Sequence, residues 1–151
     1  MYETDADIPV LRSPWDTPPI RTPADLHRLW RALLGPLGFS EPRLWFTLLD
    51  TEDRVLPIVQ QISRLAPHPD PELLRNLAGA CKDVLDGPEV GGGSAAFLLT
   101  RPGSAMTPRD RDWARALRAA AEHEGLRLRP IHLGTDEAVR VFAPDDLLAA
   151  P

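Results

Sequence analysis

Arg101, Ser104 and Thr107 are the polar side chains whose spacing offers the most chemistry. They lie in and just after Thr100-Arg101-Pro102-Gly103-Ser104-Ala105-Met106, a loop that runs into Thr107-Pro108-Arg109-Asp110. The latter four residues carry the marks of a helix start. Thr107 can cap, Pro108 suits the first helical position, and Asp110 completes a capping pair. The free backbone donors and the dipole at such a start favour an anion. Arg101, Ser104 and Thr107 are therefore a candidate anion-binding set for a carboxylate or phosphate. The competing reading is a capped helix behind a solvated loop.

Other reactive side chains assemble into nothing complete. The four histidines, His27, His68, His123 and His132, form no His-Glu-x-x-His or His-x-His pair. Cys81 is the single cysteine, so no intrachain disulfide and no cysteine metal cage can form. It falls on the apolar face of a helix, as a small core residue does. Gly91-Gly92-Gly93-Ser94 precedes a strand and lacks a following Gly-Lys-Ser/Thr, so it reads as a connector and not a phosphate loop. Ser104 lacks the flanking glycines of a nucleophile elbow. His68 sits between two prolines, and His132 lies in a late strand where alternation predicts partial exposure. These residues predict no catalytic set, no metal and no cofactor. A hydrolase using His68 or His132 is the third reading.

Composition narrows the partners. The 151 residues carry a formal charge of −5, which argues against broad binding to nucleic acid. Lys82 is the only lysine among 17 basic residues, a coding bias and not a choice of arginine for phosphate. No apolar run approaches the roughly twenty residues that span a bilayer, and residues 1–10 lack an apolar leader. The expectation is a cytoplasmic domain that meets neither membrane nor nucleic acid.

The elements that must position these side chains can be read in order. Residues 1–21 hold Pro9, Pro14, Pro18 and Pro19 and no apolar period, so they predict an irregular N-terminal arm. Trp15, Ile8, Val10 and Leu11 are too apolar for a solvated tail. The arm either packs on its own domain or reaches a partner, with Trp15 as the candidate contact. Residues 22–151 predict one globular domain. A first helix starts at Thr22-Pro23 and stops at Gly35, with His27 and Arg31 on its outer side. Residues 44–49 and 55–59 predict a hairpin, and Pro57 places the second strand at a sheet edge or bulge. A second helix starts at Asp70-Pro71, with Leu73, Leu74, Leu77, Cys81, Val84 and Leu85 on its inner face. A buried strand at 95–99, a third helix from Pro108 to Gly125, and short strands at 128–133 and 139–142 follow. The order predicts a single α/β (α+β) domain, a mixed sheet flanked by about three helices.

The segment from Phe97 to Leu117, FLLTRPGSAMTPRDRDWARAL, resembles the metal-site segment of the JAB/MPN superfamily in its bacterial RadC-like branch. There an apolar strand runs into His-x-His-Pro-Ser-Gly, then Pro-Ser-x-x-Asp and a helix. Pro102, Pro108 and Asp112 match at the family's spacing, and the element order over residues 44–147 is similar to that cytidine deaminase-like fold. The two ligand histidines fall on Leu99 and Arg101, and Arg109 replaces the motif serine. Neither Gln60 nor Gln61 is a convincing match for the family's glutamate. Three protein ligands are needed to hold a hydrolytic zinc, so Leu99, Arg101 and Asp112 would form a degenerate site.

The resemblance implies a non-catalytic interaction or scaffolding domain, a pseudoenzyme that binds a protein partner or forms a homodimer. The alternative is a regulatory domain that binds a small molecule or anion at the loop before the third helix.

Overall fold

The computed structural model describes residues 3–148; the first two residues of the expected arm and 149–151 lie outside them. A five-stranded mixed sheet in the order β2-β1-β3-β4-β5 forms the centre of an α+β domain. Strand β1 (Arg43–Leu49) and strand β2 (Val55–Ser63) make the expected hairpin. β2 is the edge strand that Pro57 requires, and the register shifts between Thr47 and Leu49. β1 also pairs antiparallel with β3 (Ser94–Thr100), and β3 pairs in parallel with β4 (His132–Gly134). β5 (Val139–Val141) closes the far edge against β4.

Helices cover both faces. α2 (Pro71–Asp86) and α3 (Pro108–Glu124) pack on one side, over Leu44, Leu48, Phe97, Leu99 and Leu133. α1 (Pro23–Leu34) packs on the other with Leu26, Leu29 and Trp30, against Leu49, Ala96, Leu98 and Val139. β3 is buried along its whole length because it lies between these layers. All three helices begin as their sequences predict. Thr22, Asp70 and Thr107 each accept a backbone N–H of the first turn, and Pro23, Pro71 and Pro108 follow them.

Three expectations about faces need correction. The buried residues of α2 are Leu74, Ala78, Cys81 and Leu85, a strict i, i+4, i+7, i+11 stripe. Leu73 and Val84 sit beside that stripe and are 53% and 46% exposed. Arg31, placed by helical spacing on an outer face, is buried because the N-terminal segment covers it. His132 is 1% exposed, against the predicted partial exposure. Alternation put it opposite Leu133, but α1 covers that opposite face as well.

The glycine stretch has a packing role at Gly93. Its φ is 136°, and a β-carbon there would lie 2.0 Å from the carbonyl oxygen of Leu49. Only glycine lets β3 start this close to the end of β1. Gly93→Ala is expected to lower the unfolding free energy by more than the about 1–3 kcal/mol of backbone strain alone, because the clash with the Leu49 carbonyl adds to it. Gly91→Ala, with nothing within 4 Å of its added carbon, is the control for backbone strain alone and should lose less in the same denaturant titration.

Candidate functional site

The C-terminal end of β3 meets the N-terminal end of α3, and there Arg101 finds Asp110. Arg101 Nε donates to Asp110 Oδ1 at 2.7 Å, and Nη2 donates to Oδ2 at 2.6 Å. Nη2 also donates to the Ala105 carbonyl at 2.5 Å, and Nη1 to the Pro102 carbonyl at 2.8 Å. The loop thus wraps its own guanidinium. Asp110 accepts in addition from Thr107 N at 2.8 Å, while Thr107 Oγ1 accepts from Asp110 N at 3.3 Å. The carboxylate side chain is 6% exposed and the guanidinium 16%.

Electrostatics follow from this geometry. Burial pushes the Asp110 carboxyl up, but the Arg101 hydrogen bonds and the Thr107 N–H outweigh it and hold the group below the usual range. Hydrogen bonding to Asp110 raises Arg101 still further above its ordinary value, against the opposing effect of burial. A second carboxylate supports the loop from outside. Asp136, between β4 and β5, accepts from Gly103 N at 2.9 Å and from Phe39 N at 3.0 Å. Those two N–H groups hold it below the carboxylate range.

The expected anion set is therefore only partly assembled. Arg101 and Thr107 do converge, but on Asp110, so the anion at this helix start is the chain's own carboxylate. Ser104 is exposed and does not join them. An external carboxylate or phosphate would have to displace Asp110 from a two-pronged pair.

Of the three degenerate-site positions, two come together. Leu99 and Arg101 line a small cleft with Thr100, Asp110, Trp113, Pro42, Leu65 and Arg109. Asp112 is not among them. Its side chain is 50% exposed and accepts from Arg115 Nη1 at 2.9 Å on the outer side of α3. Asp110 takes the inward place at the third helical position. Thr107-x-x-Asp110 is the capping pair of α3, and Asp112, the position the resemblance matched, lies two residues further on. Helix periodicity makes the difference, since a shift of two residues turns a side chain by about 200°. Gln60 and Gln61 lie on the edge strand β2, where both are exposed.

The remaining candidates are dispersed. Cys81 is buried, and burial pushes its thiol up to about 11, away from nucleophilic use. His132 is enclosed, with Nδ1 3.0 Å from the Pro130 carbonyl; burial lowers its pKa to about 4. His27 Nε2 meets Glu3 Oε1 at 2.9 Å. Among the described residues no three His, Cys, Asp or Glu side chains lie close enough to hold a metal ion.

The other feature is the arm, which is a loop tied at both ends. At its start Glu3 N donates to the Glu137 carbonyl at 2.8 Å, and the Glu3 carboxylate accepts from Val139 N and pairs with Arg31 Nε at 3.3 Å. At its end Ile20 N donates to the Asp53 carbonyl at 2.7 Å, and Arg129 Nη2 donates to the Ile20 carbonyl at 2.6 Å. Between these ties Val10, Leu11 and Trp15 are 81%, 57% and 77% exposed. Pro9, Val10, Leu11, Pro18 and Pro19 face Leu29 and Ala32 of α1 across a groove of about 360 Å³.

Two comparisons with known proteins add nothing to this geometry: no family model matches the chain, and no curated protein matches it. Among the described residues no helix is long and apolar enough to cross a membrane.

Proposed function

We propose that this domain is a non-catalytic protein-interaction module that binds through its tethered N-terminal loop. The observation that carries the reading is the loop itself. Two sets of hydrogen bonds hold its ends, and the segment between them presents Val10, Leu11 and Trp15 to solvent. A loop fixed at both ends has little ordering entropy left to lose on binding, and exposed Trp is the residue type that most often anchors an interface.

The frame beneath is proposed as JAB/MPN-like and without a metal centre. The strand, the Arg101 loop and the helix that begins at Thr107-Pro108 support that reading, while Asp112 stands apart from Leu99 and Arg101. At the strand end the guanidinium is itself the cation that the carboxylate binds. A divalent metal there would have to displace a buried arginine charge and find two further ligands.

Ser13→Cys tests the interaction reading. Ser13 is exposed in the loop, and the native Cys81 is too buried and too weakly acidic to compete for a thiol reagent. A covered loop is expected to slow maleimide labelling of position 13 relative to that of Ser104→Cys, an exposed position outside the loop, in the same extract of the producing cells, once the ratio is corrected for that of the two purified proteins. An unchanged ratio would contradict the reading.

A further inference from the structure

The loop carries a knob and a hole that do not satisfy one another. Trp15 is the knob, 77% exposed and absent from the walls of the neighbouring groove. The hole is that groove, about 360 Å³, walled by Val10, Leu11, Pro18, Leu29 and Ala32. It is large enough for an indole ring. Within one chain Trp15 does not line it, and the loop is tied at Glu3 and Ile20. Two copies related by a two-fold axis face no such restriction: each offers its knob to the other's hole.

Charge at the same place is also self-complementary. Arg12 and Arg28 stand on the groove wall, where Arg28 Nη2 pairs with Asp25 Oδ1 at 3.2 Å, and Asp16 is next to Trp15. Seating Trp15 of one copy brings its Asp16 toward the other copy's Arg12. The Arg28–Asp25 pair neutralises itself, which leaves Arg12 as the charge of the hole and Asp16 as that of the knob.

We propose that the loop over residues 8–19 pairs with the same loop of a second copy, each Trp15 seated in the groove between the other's loop and α1. This rests on the reading of the loop as the interaction surface and names its partner. Each inserted indole buries about 150–250 Å² and covers a comparable area of wall. With the rim, the pair buries on the order of 1,000 Å², the low end of specific interfaces, so the dimer is expected to be of micromolar strength.

Sedimentation velocity on the purified full chain, from about 1 µM to about 200 µM, tests the proposal by mass action. The expected result is a shift from monomer to dimer, with a blue shift of tryptophan emission over the same range. The emission reports Trp15, since Trp30 and Trp113 are buried in the monomer and Trp45 is half-buried. Trp15→Ala and Val10→Glu, both at exposed positions, should each remain monomeric with unchanged circular dichroism. A wild-type chain that stays monomeric throughout overturns the second-copy proposal, as does a dimer that survives both variants. If the wild type is monomeric yet the Ser13→Cys thiol is protected in extract, the interaction reading stands and its partner is a different protein. If neither association nor protection is seen, both fail.

Discussion

Arg101→Ala is expected to lower the unfolding free energy by about 3–5 kcal/mol at neutral pH, the effect of leaving a buried charge without its partner. Asp110 is the group left behind. Its carboxylate is 6% exposed and would keep only Thr107 as a hydrogen-bond partner. Arg101→Lys should recover part of the loss, because an ammonium restores the charge but cannot bridge both oxygens as the guanidinium fork does. Arg101→Met with Asp110→Asn should be more stable than Arg101→Ala alone, since no unpaired charge remains.

The pH dependence of that loss has a definite sign. In the wild type the paired carboxyl lies below its ordinary value, so its contribution is present above the unfolded pKa and fades as pH falls through the folded one. In Arg101→Ala the unpaired, buried carboxyl moves the other way and protonates more readily. The gap between the two proteins should therefore narrow as pH falls. Urea titrations at several pH values check this, and a gap that is small at neutral pH or independent of pH would count against a buried pair.

His132 gives the second large effect. Its folded pKa is lowered to about 4 by burial, with a smaller contribution from the charge of nearby His27. An unfolded histidine titrates near 6.5. Between those values the unfolded chain binds more protons, so stability is full above the unfolded pKa and falls as pH drops toward the folded one. The difference amounts to about 3 kcal/mol at pH 4.

His132→Leu should remove this slope. The leucine stays neutral in the space between Leu98 of β3, its register partner, and α1. The measurement is denaturant unfolding of both proteins between pH 7.5 and pH 4, roughly spanning the window set by the two pKa values. Carboxylates titrate in both and cancel in the comparison. The wild type should lose stability relative to the variant as pH falls, and parallel curves would contradict a buried neutral His132.

What could be read in the sequence was what short-range chemistry decides. Thr22-Pro23, Asp70-Pro71 and Thr107-Pro108 start helices because caps and prolines act within one turn. Pro57 marked a sheet edge or bulge because a residue without an N–H fits only where no neighbouring strand needs that donor. What could not be read depends on which surfaces meet. Strand alternation separates His132 from Leu133 but does not say that α1 covers the second face. Arg31 is buried by Glu3, 28 positions earlier in the chain, and Asp136 holds Gly103 across 33. Linear spacing chose Asp112, whereas the capping geometry of α3 turns Asp110 inward. Proline content predicted an arm, but not that Glu3, Ile20, Asp53 and Arg129 make it a loop.

A guanidinium–carboxylate pair, Arg101 with Asp110, closes the C-terminal end of β3. Zinc titration with quantification of bound metal after desalting tests it most directly. The wild type is expected to retain no stoichiometric zinc and to gain no thermal stability from it, because Arg101 already occupies both oxygens of Asp110. One equivalent of retained zinc, lost on Asp110→Asn, would contradict the claim.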